Sequence, residues 1–146
     1  MTDMNAKPRV VLVDNYPAIL LEMLPLISTE FEMAAVFEDG RSFPGIVHVI
    51  NPDLILLDIT LPGLNGIEIA RLLKKTGTSA KIVFFTVHVD PDYAREAFQI
   101  GAMGFVLKTR LASDLVPALR AALSGRRFLS PCPEFAELAK ELTVLK

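Results

Sequence analysis

The feature that most constrains the fold is a set of short apolar runs without alternation of polar and apolar residues. Four such runs span residues 10–13, 54–57, 82–85 and 105–107. A weaker candidate spans 31–37, ahead of a turn signal that ends at Gly40. Runs of this kind predict strands that are buried on both faces. Helical patterns separate them, so strand and helix alternate five times, which predicts an α/β fold with a five-stranded parallel sheet.

Two of the predicted helices have clear ends. Asn65 is expected to cap a helix that carries Glu68 three positions later. Asp90 is expected to cap another, with Pro91 at the first helical position and Gly101 just past the end.

Three further helices contain proline. The helix predicted over 113–123 places Pro117 near its first turn, where a missing N–H matters least. The helix predicted over 17–28 holds Pro25 well inside, which predicts a kink or a cost of about 3 kcal/mol. The segment 41–50 contains Pro44-Gly45, which predicts a helix that starts late, is short or is irregular.

Composition excludes several classes of protein. The chain has 146 residues, of which 51% are hydrophobic and 22% charged, enough for one buried core. A net charge of −2 argues against a dominant nucleic-acid surface. A single cysteine, Cys132, forms no intrachain disulfide, and with two histidines it predicts no zinc site. Without a long apolar run or a signal peptide, the chain is expected to be cytoplasmic and not a membrane protein.

Polar residues follow four of the predicted strands. Asp14 follows the first, Asp58 the third, Thr86 the fourth and Lys108 the fifth. Taken singly, each has an ordinary explanation as a helix cap, a strand residue or a solvated lysine. Taken together, they converge at one edge of a parallel sheet, which is where such folds bind ligands.

This group of side chains suits phosphoryl transfer to a carboxylate. Asp14 and Asp58 supply the hard oxygen ligands that Mg²⁺ prefers. Lys108 offsets the charge of an incoming phosphoryl group, and the Thr86 hydroxyl donates a hydrogen bond to one of its oxygens.

Four stretches resemble, in order and spacing, the signature segments of CheY-like receiver domains of two-component response regulators. They are VVLVDNYP, PDLILLDITLPGLNG, KIVFFTVH and YAREAFQIGAMGFVLKT. The resemblance covers roughly residues 9–125 and implies a flavodoxin-like, doubly wound sheet in the order 2-1-3-4-5. The pattern is most similar to receivers of NarL/FixJ-type (LuxR-class) regulators, in which a helix-turn-helix domain follows.

The resemblance implies a role for each matching residue. Asp58 matches the phosphoacceptor, Thr86 the switch hydroxyl and Lys108 the essential lysine. Asp14 matches the first acid of the metal-binding pair, and the backbone carbonyl of Thr60 matches a further metal ligand.

Four more positions match the family pattern. Pro62, Gly63 and Gly66 match the loop after the phosphoacceptor, where glycine permits unusual backbone angles. Phe105 matches the aromatic residue that changes rotamer with the switch threonine, although packing in the core explains an aromatic there equally well.

Two positions depart from the family. Asn15 replaces the second acid, which keeps an oxygen ligand but removes one negative charge. One unit charge is worth about 4 kcal/mol at about 4 Å and an effective dielectric near 20, so Mg²⁺ binding is expected to be weakened. Val87 follows the switch threonine where a small residue is usual, and is expected to narrow access to the site.

The resemblance divides the chain into a receiver domain over 7–125 and a linker-like tail over 126–146. A short amphipathic helix is expected over 134–145, either packed on the domain, as part of a linker, or in contact with a partner or a second copy. The tail is too short for a helix-turn-helix module, so direct nucleic-acid binding by this chain is not expected.

The preferred function is a receiver that accepts a phosphoryl group on Asp58 from a sensor histidine kinase or a histidine phosphotransfer protein. It would act through protein contacts, including a homodimer through the last two helices of the domain. The alternatives are the regulatory half of a NarL/FixJ-type DNA-binding regulator and a degenerate receiver that signals without phosphate. An enzyme acting on external phosphate esters is not expected, because no second general acid accompanies Asp58 in the motif.

Overall fold

The structure, a computed structural model, describes residues 6–14, 16–61 and 65–144. The strands are β1 Arg9–Val13, β2 Glu32–Phe37, β3 Leu54–Asp58, β4 Lys81–Thr86, β5 Gly104–Leu107 and β6 Phe128–Leu129. The helices are α1 Pro17–Ile27, α2 Phe43–Ile50, α3 Gly66–Lys75, α4 Pro91–Gln99, α5 Leu111–Leu123 and α6 Ala136–Val144. Within the described ranges, no helix is long and apolar enough to cross a membrane.

The strands form one parallel sheet in the order β2-β1-β3-β4-β5-β6. The predicted α/β fold and the order of its first five strands are confirmed. The sheet has six strands instead of five, because β6 pairs with β5 through Phe128 and Leu129. Strand β6 is only two residues long, and this run is too short to show the alternation of a strand in the sequence.

The core lies on both faces of the sheet. One face packs against α1 and α5, and the other packs against α2, α3, α4 and α6. Strands β3 and β5 are buried along their whole length, which explains why their sequences are apolar without alternation.

The predicted caps of α3 and α4 are confirmed. The Asn65 side chain accepts the backbone N–H of Glu68 at 2.9 Å, and the Asp90 side chain accepts that of Asp92 at 2.9 Å. Gly101 follows α4 with φ +98°, a conformation that costs glycine little.

All three predicted helices that contain proline are present, and the position of Pro117 within its helix differs from the prediction. Helix α5 begins at Leu111, so Pro117 lies in its second turn and the placement near the first turn was wrong. Helix α1 continues through Pro25 to Ile27. A proline has no N–H to donate to the carbonyl four residues earlier, which is that of Leu21 for Pro25 and that of Ser113 for Pro117. All four residues are exposed, so water can bond to the two carbonyls. Helix α2 starts late, as expected, with Pro44 in its first turn.

The C-terminal segment, residues 128–144, adds β6, a 3₁₀ turn over Pro133–Phe135 and α6 to the domain. Phe135 and Leu138 are 1% and 2% exposed and belong to the same core cluster as the buried residues of α2, α3 and α4. Of the alternatives for the predicted helix, the structure therefore has the one in which it packs back on the domain.

Candidate functional site

The four polar residues predicted from the strand ends meet at one edge of the sheet. Asp58 and Thr86 are the last residues of β3 and β4, while Asp14 and Lys108 directly follow β1 and β5. The Lys108 ammonium lies 2.9 Å from Asp14 Oδ2 and 3.1 Å from Asp58 Oδ2. Both carboxylates are about 3% exposed. One cation therefore bridges two buried anions.

Backbone groups fix the orientation of both carboxylates. Asp14 Oδ1 accepts the N–H of Tyr16 at 2.6 Å, and Asp58 Oδ1 accepts the N–H of Thr60 at 3.1 Å. Each carboxylate thus directs its second oxygen to Lys108. The aromatic ring of Phe85 lies under the ammonium, with its centroid 5.0 Å from Nζ, and adds a favourable cation–π contact.

Burial and neighbouring charges together determine the ionisation of Asp58 and Lys108 at this edge of the sheet. Burial raises the pKa of the Asp58 carboxyl; the positive charge of Lys108 opposes that shift, and the negative charge of Asp14 adds to it. Burial alone would lower the pKa of Lys108, but hydrogen bonds and charges from the two aspartates outweigh it, so the net shift is upward. Lys108 therefore stays positively charged. Its single positive charge balances only one of the two aspartates, so the surroundings of Asp58 disfavour the ionised form of its carboxyl.

A hydrogen-bonded pair of side chains links the loops that follow β3 and β4. Thr60 Oγ1 and His88 Nε2 lie 2.8 Å apart, and the N–H of His88 donates to Thr86 Oγ1 at 3.1 Å. The His88 ring also packs against Tyr93, with centroids 5.6 Å apart. Thr86 itself is fully buried. A hydroxyl both donates and accepts, so Thr86 has a proton to offer to a group bound at Asp58.

Gly66 is needed at this site for a different reason from the one predicted. Its φ is not positive, so unusual backbone angles are not the cause. A Cβ at this position would collide with the backbone carbonyl of Asp58, and the Gly66 N–H donates to Ile59 O at 2.7 Å. Glycine allows α3 to begin directly against the end of β3.

The donor set fits Mg²⁺. Two buried carboxylates with hard oxygens share one ammonium, so the site retains negative charge for a divalent cation. In the described ranges, no third His, Cys, Asp or Glu joins them. Asn15, Pro62 and Gly63 lie outside the described residues.

Phe105 and Val87 have different surroundings. Phe105 is fully buried, and its ring meets that of Phe135 edge-on at a centroid distance of 5.7 Å. Val87 is 65% exposed, so its side chain lies at the surface, and the narrowing of access stays a prediction.

Comparison with known proteins decides the family. The family model for the response regulator receiver domain matches residues 10–120. The chain belongs to this family. Among curated relatives, this receiver domain is 34% identical over 123 residues to the nitrate/nitrite response regulator protein NarL of Escherichia coli K12. It is 30% identical over 127 residues to the transcriptional regulatory protein DegU of Brevibacillus brevis.

The receiver domain spans about half the length of these relatives. The matches cover 83% and 86% of this chain, but 57% of NarL and 54% of DegU. Both relatives are regulators by name, and they extend beyond the matched region.

Solved structures give the same result. A two-component response regulator of the LuxR family from Aurantimonas sp. SI85-9A1 is similar at TM-score 0.82 and 32% identity, over 95% of this chain and 97% of that one. The receiver domain of the putative regulator NarL from Mycobacterium tuberculosis is similar at TM-score 0.77 and 26% identity, over 83% and 99% of the two chains. The first similarity extends into the C-terminal segment.

Sequence reasoning missed two sets of contacts. The Thr60–His88 bond joins side chains 28 positions apart, and no spacing rule signals it. Ser130 lies in the C-terminal segment, yet it is fully buried and bonds to the backbone of Leu107, next to Lys108. A serine between apolar residues and a proline gave no signal for that role.

Proposed function

We propose that this receiver domain accepts a phosphoryl group on Asp58 from a sensor histidine kinase or a histidine phosphotransfer protein. The observation that carries the proposal is the Lys108 ammonium, which bridges the Asp14 and Asp58 carboxylates at 2.9 and 3.1 Å. A partly buried lysine held between two carboxylates provides a fixed positive charge where the oxygens of a phosphoryl group would gather.

The chemical step is a displacement at phosphorus. An Asp58 carboxylate oxygen forms the new P–O bond, the P–N bond of the donor phosphohistidine breaks, and its electron pair returns to the imidazole. The product is an acyl phosphate on Asp58. Lys108 offsets the charge of the transferred group, and the Thr86 hydroxyl donates to one of its oxygens.

Asp14, Asp58 and the Thr60 carbonyl are the groups proposed to hold Mg²⁺. When bound, the ion supplies positive charge that neutralises phosphoryl oxygens during transfer. Asn15 lacks the charge that family members carry at this position, so we propose that Mg²⁺ binds weakly. Calorimetric titration of Mg²⁺ into the chain and into its Asn15→Asp variant tests this, with tighter binding expected for the variant.

The proposal includes no turnover of external substrate. The domain assists its own phosphorylation and dephosphorylation, and the phosphoryl group acts as the signal. The phosphoryl group brings as many as two negative charges next to Thr86 and Lys108. These charges shift the loops after β4 and β5. The phosphorylated domain signals by changing its contacts with other proteins. One such contact that we propose is a homodimer formed through α4 and α5.

A second candidate is the regulatory half of a DNA-binding regulator. NarL and DegU are regulators by name, and the matched region covers little more than half of each. In that case, phosphorylation would control a DNA-binding domain that lies elsewhere in the full protein. Transcriptional regulators work in the cytoplasm, and we propose the same location here. The reading frame beyond Lys146 distinguishes this candidate from a free-standing receiver.

Incubation of the chain with acetyl phosphate and Mg²⁺, followed by intact-mass measurement, tests the function. We expect a mass increase of one phosphoryl group that is absent in Asp58→Asn. The control is Asp53→Asn, which changes an exposed acid at the opposite end of β3 and should be labelled normally. Absence of any adduct on the unmodified chain would favour the degenerate receiver that signals without phosphate.

A further inference from the structure

The C-terminal segment contacts the strand that carries the site lysine. Strand β6 pairs with β5, and Ser130 continues this contact beyond the strand. The Ser130 N–H donates to Phe105 O at 3.0 Å, and Ser130 Oγ accepts the N–H of Leu107 at 3.0 Å. Lys108 is the next residue. The segment is therefore bonded to the backbone N–H of the residue immediately before Lys108, which contacts Asp58.

The same serine is part of a buried network. Ser130 Oγ donates to Asp114 Oδ2 at 2.7 Å, and Arg110 Nε donates to the same oxygen at 2.8 Å. Asp114 is 4% exposed and belongs to α5. A displacement of the Leu107 N–H consequently disturbs the bonds that join β5, α5 and the C-terminal segment.

An aromatic contact provides a second link. The Phe105 ring of β5 meets the Phe135 ring edge-on, with an interplanar angle of 81°, and both rings are buried. Phe105 pairs with Phe84 in the ladder between β4 and β5, two residues before Thr86. The docked segment thus packs against the side chain of a residue whose strand pairs with β4, the strand that ends at Thr86.

The outer part of the segment is held weakly. Helix α6 is tied to α4 by an exposed ion pair, in which Arg95 donates two hydrogen bonds to Glu141 at 3.1 and 3.2 Å. Solvent and salt screen this pair, so it holds the helix less firmly than buried contacts do. Open grooves of about 330 and 710 Å³ flank α6, and Leu142 lines both. Release of the helix therefore breaks few buried contacts beyond Phe135 and Leu138.

We propose that docking of the C-terminal segment and phosphorylation of Asp58 oppose each other, so that the segment is an internal latch which phosphorylation loosens. This inference rests on the proposed function. The phosphoryl group on Asp58 adds bulk and charge next to Lys108, and the loop that begins at Lys108 shifts to accommodate it. The Leu107 N–H is then drawn from Ser130 Oγ, and the latch loses a buried hydrogen bond. By linkage, a weakened latch makes phosphorylation more favourable by the same factor.

Cys132 provides a native reporter for the latch. It is the single cysteine of the chain, lies between Ser130 and Phe135, and packs partly buried against the core. The thiol is partly shielded in the docked state, so the rate at which a thiol reagent labels it rises when the segment opens. We expect labelling to accelerate about fivefold or more when Asp58 is phosphorylated with acetyl phosphate. Asp58→Asn should show no acceleration.

The reciprocal effect is measured with Phe135→Leu, a change small enough to preserve the fold. It should raise the phosphorylated fraction at a fixed, subsaturating concentration of acetyl phosphate, and raise Cys132 labelling without donor. Phe31→Leu is the matched control, because Phe31 is 3% exposed and packs on the opposite face of the sheet. It should leave both quantities unchanged.

The mass of the phosphorylated chain, recorded in the same samples, separates the two proposals. An adduct with unchanged or slower labelling would overturn the latch and leave the proposed function standing. An unchanged phosphorylated fraction in Phe135→Leu would also overturn it. If no adduct forms at all, the proposed function fails and the latch fails with it.

Discussion

The Lys108 ammonium lies 3.1 Å from the carboxylate of Asp58, although the two residues are 50 positions apart in the chain. The parallel sheet causes this proximity, because β3 and β5 end at the same edge with only β4 between them. The site is thus a direct result of strand order. Its properties depend on how far each side chain is buried and on which backbone groups hold it.

Replacement of Lys108 tests the role of the bridging charge. Lys108→Met removes the cation but keeps much of the side-chain length, so the transferred phosphoryl group loses its fixed positive partner. We expect phosphorylation by acetyl phosphate to slow by about a hundredfold, as measured by intact mass against time. Lys75→Met, at the exposed end of α3, is the control. Equal rates in both variants would show that Lys108 takes no part in transfer.

The Thr60–His88 bond is expected to restrict access to Asp58. It ties the loop after β3 to the loop after β4, and breaking it should let water reach the acyl phosphate more easily. Thr60→Val and His88→Ala should each accelerate loss of the phosphoryl group by about two- to tenfold, as expected for one hydrogen bond. The double variant should be no faster than either single variant. Additive effects would mean that the two residues act separately.

Asp114 predicts a dependence of stability on pH. Burial alone would raise the pKa of Asp114, but hydrogen bonds from Arg110, Ser130 and Ser113 outweigh it and hold that pKa below its usual value. The ionised form therefore stabilises the fold at pH above the unfolded-state pKa, and this contribution is lost as the pH falls through the folded-state pKa.

Asp114→Asn should accordingly lower the free energy of unfolding at neutral pH by about 1–3 kcal/mol. The difference from the unmodified chain should shrink toward about pH 3, near the usual titration range of aspartate. Urea denaturation at the two pH values measures it. Glu22→Gln, an exposed acid on α1, is the control. A deficit that stays constant with pH would mean that the charge of Asp114 is not what stabilises the fold.

Two glycines give a matched pair of stability predictions. Gly66→Ala forces a Cβ against the carbonyl of Asp58, so we expect a loss of about 1–3 kcal/mol. Gly45→Ala meets no atom within 4 Å in α2 and should stabilise by about 0.5–1 kcal/mol. Thermal or urea unfolding of both variants checks the signs. A neutral Gly66→Ala would contradict the close approach of α3 to β3.

The fold and the main site residues could be predicted because their causes are local. Strands buried on both faces require continuous apolar runs, and a residue directly after such a run must lie at the edge of the sheet. Asp14, Asp58, Thr86 and Lys108 were found in this way. The caps at Asn65 and Asp90 followed from rules that span only three residues.

The features that escaped prediction depend on contacts between distant segments. Strand β6 is too short to show a period, and only its partner β5 makes it a strand. In the sequence, Ser130 resembles a turn residue. In the structure it directly follows β6 and bonds to Asp114 in the core. The position of Pro117 was misjudged because α5 starts two residues earlier than its apolar pattern indicated. Gly66 was correctly singled out, but packing and not backbone angle is the reason.

The central claim is that Asp58 carries the phosphoryl group. Borohydride reduction of the phosphorylated chain converts an aspartyl phosphate to homoserine, and peptide mapping then locates the converted residue. We predict conversion in the peptide that contains Asp58, and none in unphosphorylated chain or in Asp58→Asn. Conversion at another acid, or phosphorylation that persists in Asp58→Asn, would contradict the account.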